Sequence, residues 1–196
     1  MLGANTSPLR MAQNPLDTIA EENPARFTHP ACAFLRDHWE GKRGGRAMPA
    51  RRDISPAALK DHLGWVMILE VLPGARDFRY RLIGTLVTQY FSQDATGMTV
   101  MEAFAPNGEA VAKAVNSVFR KCARDGVVMR TTGNANWLSE GMEEFEAIYL
   151  PLSEDGKQVT HILHAFVCDR EKMLLARQIA KVHGGKLMAP PPPKVA

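Results

Sequence analysis

The chain has few cysteines, none of them close together, and no long apolar run. Cys32, Cys122 and Cys168 form an odd, widely spaced set, without the close pairing of a zinc site or of a small disulfide-bonded scaffold. No stretch approaches the roughly 20 apolar residues that a helix needs to cross a bilayer, and the N-terminus lacks the apolar core of a signal peptide. These absences point to a cytoplasmic protein without a membrane span. Neither sign of charge dominates: the formal net charge of +3 is too small to demand a polyanionic partner. Nucleophile elbows, phosphate-cradling loops and paired-cysteine motifs are missing as well. What is present, 196 residues of which 45% are apolar and 23% charged, is the make-up of one globular domain with tails.

Residues 1–26 carry Pro8, Pro15, Pro24 and two Asn-Pro steps with little apolar periodicity, and read as a flexible arm. Thr28 is placed to cap a helix with Pro30 in its first turn, and Phe34, Leu35, His38 and Trp39 line one side before Gly41 ends it. "GKRGGRAMPARR", residues 41–52, then brings five basic groups and no acid. In "ISPAALKDHLG" Ser55 caps and Pro56 takes the first helical position. "WVMILEVLPGARDFRYRLIG" reads as two strands, and a loop of Pro73 to Arg76 sets Leu72 opposite Asp77. Carried on, this register puts Met67, Leu69, Val71, Phe78, Tyr80 and Leu82 on one face, with Glu70 opposite Arg79 and Ile68 opposite Arg81 on the other. At Gly84-Thr85 the two-residue period gives way to a three- and four-residue one, so a strand turns into a helix at that corner.

Two short helical pieces follow, Thr85 to Phe91 and about Val100 to Phe104. A longer helix has Asn107 as its cap, Val111, Val115, Val118, Phe119 and Cys122 as its stripe, and Asp125-Gly126 as its end. "VVMRTTGN", "EFEAIYLPL" and "VTHILHAFVCD" are strands, the last two joined by "SEDGK". Residues 169–185 then read as an amphipathic helix, and residues 186–196 as a Pro-rich tail. A hairpin with Ser153 opposite Lys157 sets His161 beside Tyr149 and His164 beside Glu146. His161 then shares the inward face with Phe145, Ala147, Leu163 and Ala165, His164 looks outward, and the two do not share a metal. Ile148, Leu150, Ile162 and Phe166 fall on the outer face in that register, too much apolar surface to leave wet. The N-terminal helix, a second copy of the domain, or both together would cover it.

The order strand, strand, helices, strand, strand, strand, with "MPARRDISPAALKDHLGWVMILEV", "FRYRLIGT" and "DATGM", resembles the PAS sensor fold, and in particular a bacterial group of small stand-alone PAS-type proteins. The resemblance covers about residues 30–168. It implies an α+β fold: a PAS-like five-stranded antiparallel sheet with a helical cover over a small cavity, plus an N-terminal flanking helix, within a domain of residues 27–168. Flavin photosensors of this fold use a reactive cysteine on the first helices, and Thr85 to Phe104 contains none. Haem-binding relatives commonly use a histidine on the long helix, and Gly108 to Arg124 contains none. Flavin and haem are therefore disfavoured, and the resemblance names no other cofactor. The candidate cavity lining is Tyr80, Phe91, Phe119, Phe145, Tyr149 and His161, with His161 and Tyr149 orienting a ligand.

The resulting expectation is a non-catalytic signalling domain, homodimeric, that senses a small molecule or serves as an adaptor. Its output lies in a signalling protein partner, since no kinase, cyclase or helix-turn-helix segment is recognisable at either end. One alternative is an anion- or nucleotide-binding adaptor gripping phosphates through Arg43, Arg46, Arg51 and Arg52 of the basic loop 42–52. That loop has few aromatics for base stacking, so nucleic acid is not the expected partner. The other is a small cone-shaped isomerase or dehydratase, which needs a carboxylate near His161. In the register above Glu144 and Glu146 point outward and Glu70 faces Arg79, which leaves that cavity without a base.

Overall fold

The two-residue apolar period does build a sheet, and the three- and four-residue stripes do build its covers. The computed structural model describes residues 19–23, 27–91, 93–135, 138 and 144–168. Most of the expected arm, the helix at 169–185 and the tail at 186–196 lie outside these residues. Strands β1 (Ile19–Glu22), β2 (Val66–Val71), β3 (Phe78–Ile83), β4 (Met129–Gly133), β5 (Phe145–Leu152) and β6 (His161–Cys168) form one sheet in the order β1-β4-β5-β6-β2-β3. Every neighbouring pair is antiparallel. The five anticipated strands are joined by β1, which corrects the reading of residues 19–22 as flexible arm. "IAEE" is too short to show a period; what makes it a strand is the free main-chain edge of β4, from Ile19 opposite Gly133 to Glu22 opposite Arg130.

Between β3 and β4 the chain leaves the sheet to form α2 (Thr85–Phe91), α3 (Val100–Phe104) and α4 (Glu109–Asp125), which cover its inner face. Thr99 and Glu102 cap the start of α3 reciprocally, 3.2 Å from hydroxyl to the Glu102 amide and 2.7 Å from carboxylate to the Thr99 amide. α4 starts at Glu109 with Gly108 at its cap in place of the expected Asn107, and ends at Gly126 with φ 63°. At the corner the Gly84 amide donates to the Val66 carbonyl at 2.8 Å. A Cβ at Gly84 would lie 2.3 Å from the carbonyl oxygens of Leu63 and Gly64, so the corner requires glycine.

Two registers differ from expectation. Leu72 does pair with Asp77, and Glu70 with Arg79, but an irregularity between Ile68 and Leu69 sets Ile68 opposite Leu82 and not Arg81. Leu82 thereby joins the face of Ile68, while the extra residue, Arg81, turns outward and reaches Glu70 at 2.6 Å. The larger change is in β5 and β6. Their turn is longer than "SEDGK": the Asp155 carboxylate accepts from the Ser153 hydroxyl and the Lys157 and Gln158 amides, and pairing resumes at Thr160. His164 therefore lies opposite Tyr149, and His161 opposite Leu152. The shift of three residues is odd, so every side chain of β6 changes face. Ile162, His164 and Phe166 join Phe145, Ala147 and Tyr149 inside, and Leu163, Ala165 and Val167 join Ile148 and Leu150 outside.

The outer face is covered by α1 (Pro30–Arg43), whose Ala31, Cys32, Leu35 and Trp39 are buried over β5 and β6. Trp39 Nε1 donates to the Pro151 carbonyl at 2.8 Å. The cap is His29 and not Thr28: its Nδ1 accepts from the Ala31 amide at 3.1 Å, and the helix runs past Gly41 to Gly44 with φ 58°. The Thr28 and His29 amides, which a helix start leaves without internal partners, donate to the Glu146 carboxylate at 3.1 and 2.7 Å. Arg130 meets the same carboxylate at 2.6 Å, with both side chains buried. Of the two covers anticipated, the chain supplies its own helix, so the outer face alone no longer calls for a second copy.

Two outcomes follow from these contacts. Gly84→Ala should cost on the order of 3 kcal/mol in urea unfolding, because backbone must move at the corner; an unchanged midpoint would mean the corner is not tight. Glu146→Gln should cost about 3 kcal/mol by removing the buried charge that Arg130 and the Thr28 and His29 amides share. Burial works to raise the Glu146 carboxyl, yet the His29 and Thr28 amides and Arg130 together hold it below 4.5. The carboxylate's contribution is thus complete above pH 4.5 and fades as the pH falls through the lower folded value, so the variant's deficit should shrink in acid.

Candidate functional site

Apolar stripes on α2, α3 and α4 face the inward side chains of β3, β5 and β6, and they do not quite meet. The gap is a cavity of about 30 Å³, room for roughly one water-sized group. Tyr80 of β3, Phe91 of α2, Phe104 of α3, Phe119 of α4, and Phe145, Tyr149, His164 and Phe166 of the sheet form most of its wall. Phe91 is edge-on to Phe104 at 5.4 Å, and Phe145 stacks on Phe166 at 5.1 Å.

One imidazole sits among these rings. His164 lies 4.4 Å from the Tyr149 ring and edge-on to Phe119 at 5.1 Å. Its Nδ1 is 2.7 Å from the Ile148 carbonyl oxygen. A carbonyl only accepts, so Nδ1 carries the proton and Nε2 is left with a lone pair. Burial pushes the imidazole down to about 4, the Ile148 hydrogen bond opposing it, so the ring is neutral near pH 7. The Tyr80 phenol is raised by burial and by the nearby Tyr149 and Asp77. Tyr149 is pushed up to about 12, chiefly by burial, and accepts a long 3.5 Å hydrogen bond from the Thr131 hydroxyl. The described wall thus holds an acceptor, two neutral phenols and no charged side chain.

Of the anticipated lining residues, Tyr80, Phe91, Phe119, Phe145 and Tyr149 come together here. His161 does not: it sits half-buried on the outer face at the start of β6, its Nδ1 3.2 Å from the Thr160 hydroxyl. Its place is taken by His164, and Phe166, expected outside, lines the cavity as well. The four arginines of the basic loop are already engaged. Arg43 pairs with Glu40, Arg46 with Asp53 at 2.7 Å, Arg52 with Glu154 at 2.5 Å, and Arg51 donates to the Ile54 carbonyl at 2.8 Å. An anion would have to displace these carboxylates. Glu146, a candidate base for the isomerase reading, lies on the opposite face of the sheet from the cavity, bound to Arg130.

A larger depression of about 770 Å³ opens beside the start of α1, lined by Thr28, His29, Trp65, Arg130 and Glu146 among others. It is open to solvent, and its buried charges are bound to each other. The enclosed aromatic cavity is accordingly the better candidate for selective binding.

A family model described as PAS domain matches residues 27–167. No curated protein and no solved structure matches the chain. No helix among the described residues is long and apolar enough to cross a membrane.

His164 makes stability depend on pH in a stated direction. Its folded value of about 4 lies below the ordinary 6.5, so the unfolded chain takes up the proton first. Stability is full above pH 6.5 and is lost as the pH falls toward 4. Between pH 7 and pH 5 the loss should be about 2 kcal/mol. His164→Phe should flatten that slope while the other histidines keep theirs; an equally steep slope in the variant would show that His164 is not buried as a neutral ring.

Proposed function

The chain belongs to the PAS domain family, a family of signalling and sensory domains, and from that premise we propose that it works without catalysis, by holding a small molecule in the inner cavity and passing its occupancy to a signalling protein partner. Tyr80, Phe91, Phe119, Phe145 and Tyr149 supply the walls, and His164 takes the orienting role. The observation that carries this reading is the buried neutral imidazole, fixed by Ile148 and facing an otherwise aromatic cavity. Buried thiols at Cys32 and Cys122 are in keeping with a cytoplasmic setting.

The same residues offer a route outward. His164 holds the Ile148 carbonyl, while the Ile148 side chain belongs to the outer face that α1 covers. A ligand that draws on His164 therefore acts on β5 directly beneath α1. Any partner whose affinity depends on where α1 sits, whether a second copy or another protein, then responds to the cavity.

Mass spectrometry of the gently denatured protein tests the reading by asking which small molecule leaves it. A molecule released from the native chain and lost from His164→Phe is the expected result. Retention of the same molecule at unchanged affinity by that variant would remove the cavity from the site.

A further inference from the structure

The polar atoms of the cavity determine which ligand chemistry it accepts. His164 Nδ1 is committed to Ile148, which leaves Nε2 as an acceptor that cannot donate. Among the described residues His164 has no second hydrogen-bond partner, and it is almost wholly buried. His164 lines the cavity, where an acceptor has room for about one water, and a ligand that donates to it supplies the hydrogen bond that the described wall does not. The Tyr149 oxygen accepts from Thr131 and so keeps its own proton to give. Tyr80, buried next to it in the wall, can donate or accept. The group that suits such a set is one that donates and accepts at a single atom.

We propose that the cavity selects a neutral molecule with an apolar body and one hydroxyl, the hydroxyl donating to His164 Nε2 and accepting from a tyrosine. This deepens the sensory reading and rests on it. An anion finds no cation in the described wall, and meets the lone pair of Nε2 with its own. An ammonium finds no carboxylate there. Either would be stripped of water without a counter-charge, which a neutral hydroxyl compound avoids. The size of the cavity adds a further condition: about 30 Å³ takes the hydroxyl end, and the apolar body needs one of the aromatic walls to yield.

Removing such a wall provides the test. In Phe91→Ala a ring-sized space opens beside Tyr80, Phe104 and Phe166. Phenol, toluene, benzoate and benzylammonium are then titrated by calorimetry, with the Nε2 nitrogen resonance of His164 followed by NMR. Phenol should bind about tenfold tighter than toluene, move the Nε2 resonance, and lose its advantage when His164→Phe is added. Binding of toluene as tight as phenol, or tighter binding of benzoate or benzylammonium, would overturn the inference. Should Phe91→Ala fail to fold, Val118→Ala opens the same cavity more gently, and a phenol-insensitive Nε2 resonance there overturns it equally. The two readings fail separately. A phenol preference in a protein from which no small molecule is released removes the sensory reading alone. Equal phenol and toluene binding, with a released molecule still dependent on His164, removes the hydroxyl requirement alone.

Discussion

Eight residue pairs along β5 and β6, from Phe145 opposite Cys168 to Leu152 opposite His161, decide which side chains meet α4 and which meet α1. Both strands are buried on both faces, so neither face can be exchanged for the other without refilling two cores at once. The inner set must leave room for Phe119 and still close over the cavity. The outer set must be smooth enough for α1, and Leu163, Ala165 and Val167 are aliphatic where Ile162, His164 and Phe166 are more varied. A slip of one residue would bring His164 and Phe166 under Trp39 and Leu35, and would leave the cavity without its imidazole. The turn that sets the register is held by Asp155, whose carboxyl is drawn down to about 2 by the Lys157 and Gln158 amides and the Ser153 hydroxyl. The register of the cavity face is thus fixed some distance from that face.

The second constraint is the start of α1. A helix laid on a sheet brings amides without internal partners against an apolar surface, where leaving them unmet is expensive. Glu146 accepts from two of them, but a carboxylate in that place must itself be neutralised, and Arg130 on the neighbouring strand does so. Against well-packed apolar side chains a buried pair of this kind gains little net stability. Its value here lies in position: only one placement of α1 brings the Thr28 and His29 amides to Glu146, so the pair fixes where the helix begins.

Much of this was legible in the sequence, and the limits have identifiable causes. The strands, the helical insertion, the Gly84 corner and the αL end of α4 were readable because period changes and glycine positions are local signals. The Pro73–Arg76 turn was readable for the same reason, up to the irregularity at Arg81, which has no local signal in the sequence. The turn after Leu152 was not legible because Asp155 and Gly156 look like the centre of a tight hairpin, whereas the carboxylate organises a wider loop. That Asp155 is followed at two and three residues by free amides was the available sign. Because parity decides the face, the wider loop exchanges the faces of His161 and His164. Glu146 as the partner of a helix start 117 residues away had no local signature, and β1 had too few residues to show one.

The sheet is one residue layer thick, and that thinness gives the cavity its reach. Tyr149 and His164 look inward from β5 and β6, and the residues on either side of them, Ile148, Leu150, Leu163 and Ala165, look outward beneath α1. A change in the tilt of the His164 ring moves the Ile148 carbonyl that it holds, and the strand carries this to its next residue without an intervening loop. The covers differ in how firmly they resist. α1 is fastened at its start by Glu146 and along its length by Trp39 on Pro151. α2 is a seven-residue helix whose Phe91 touches the cavity, and a helix this short has little stability apart from its packing. Of the walls around the cavity, the side at Phe91 is therefore the one least held in place, and the one that would yield to the proposed apolar body. In the proposed sensory role, the side at His164 would register it.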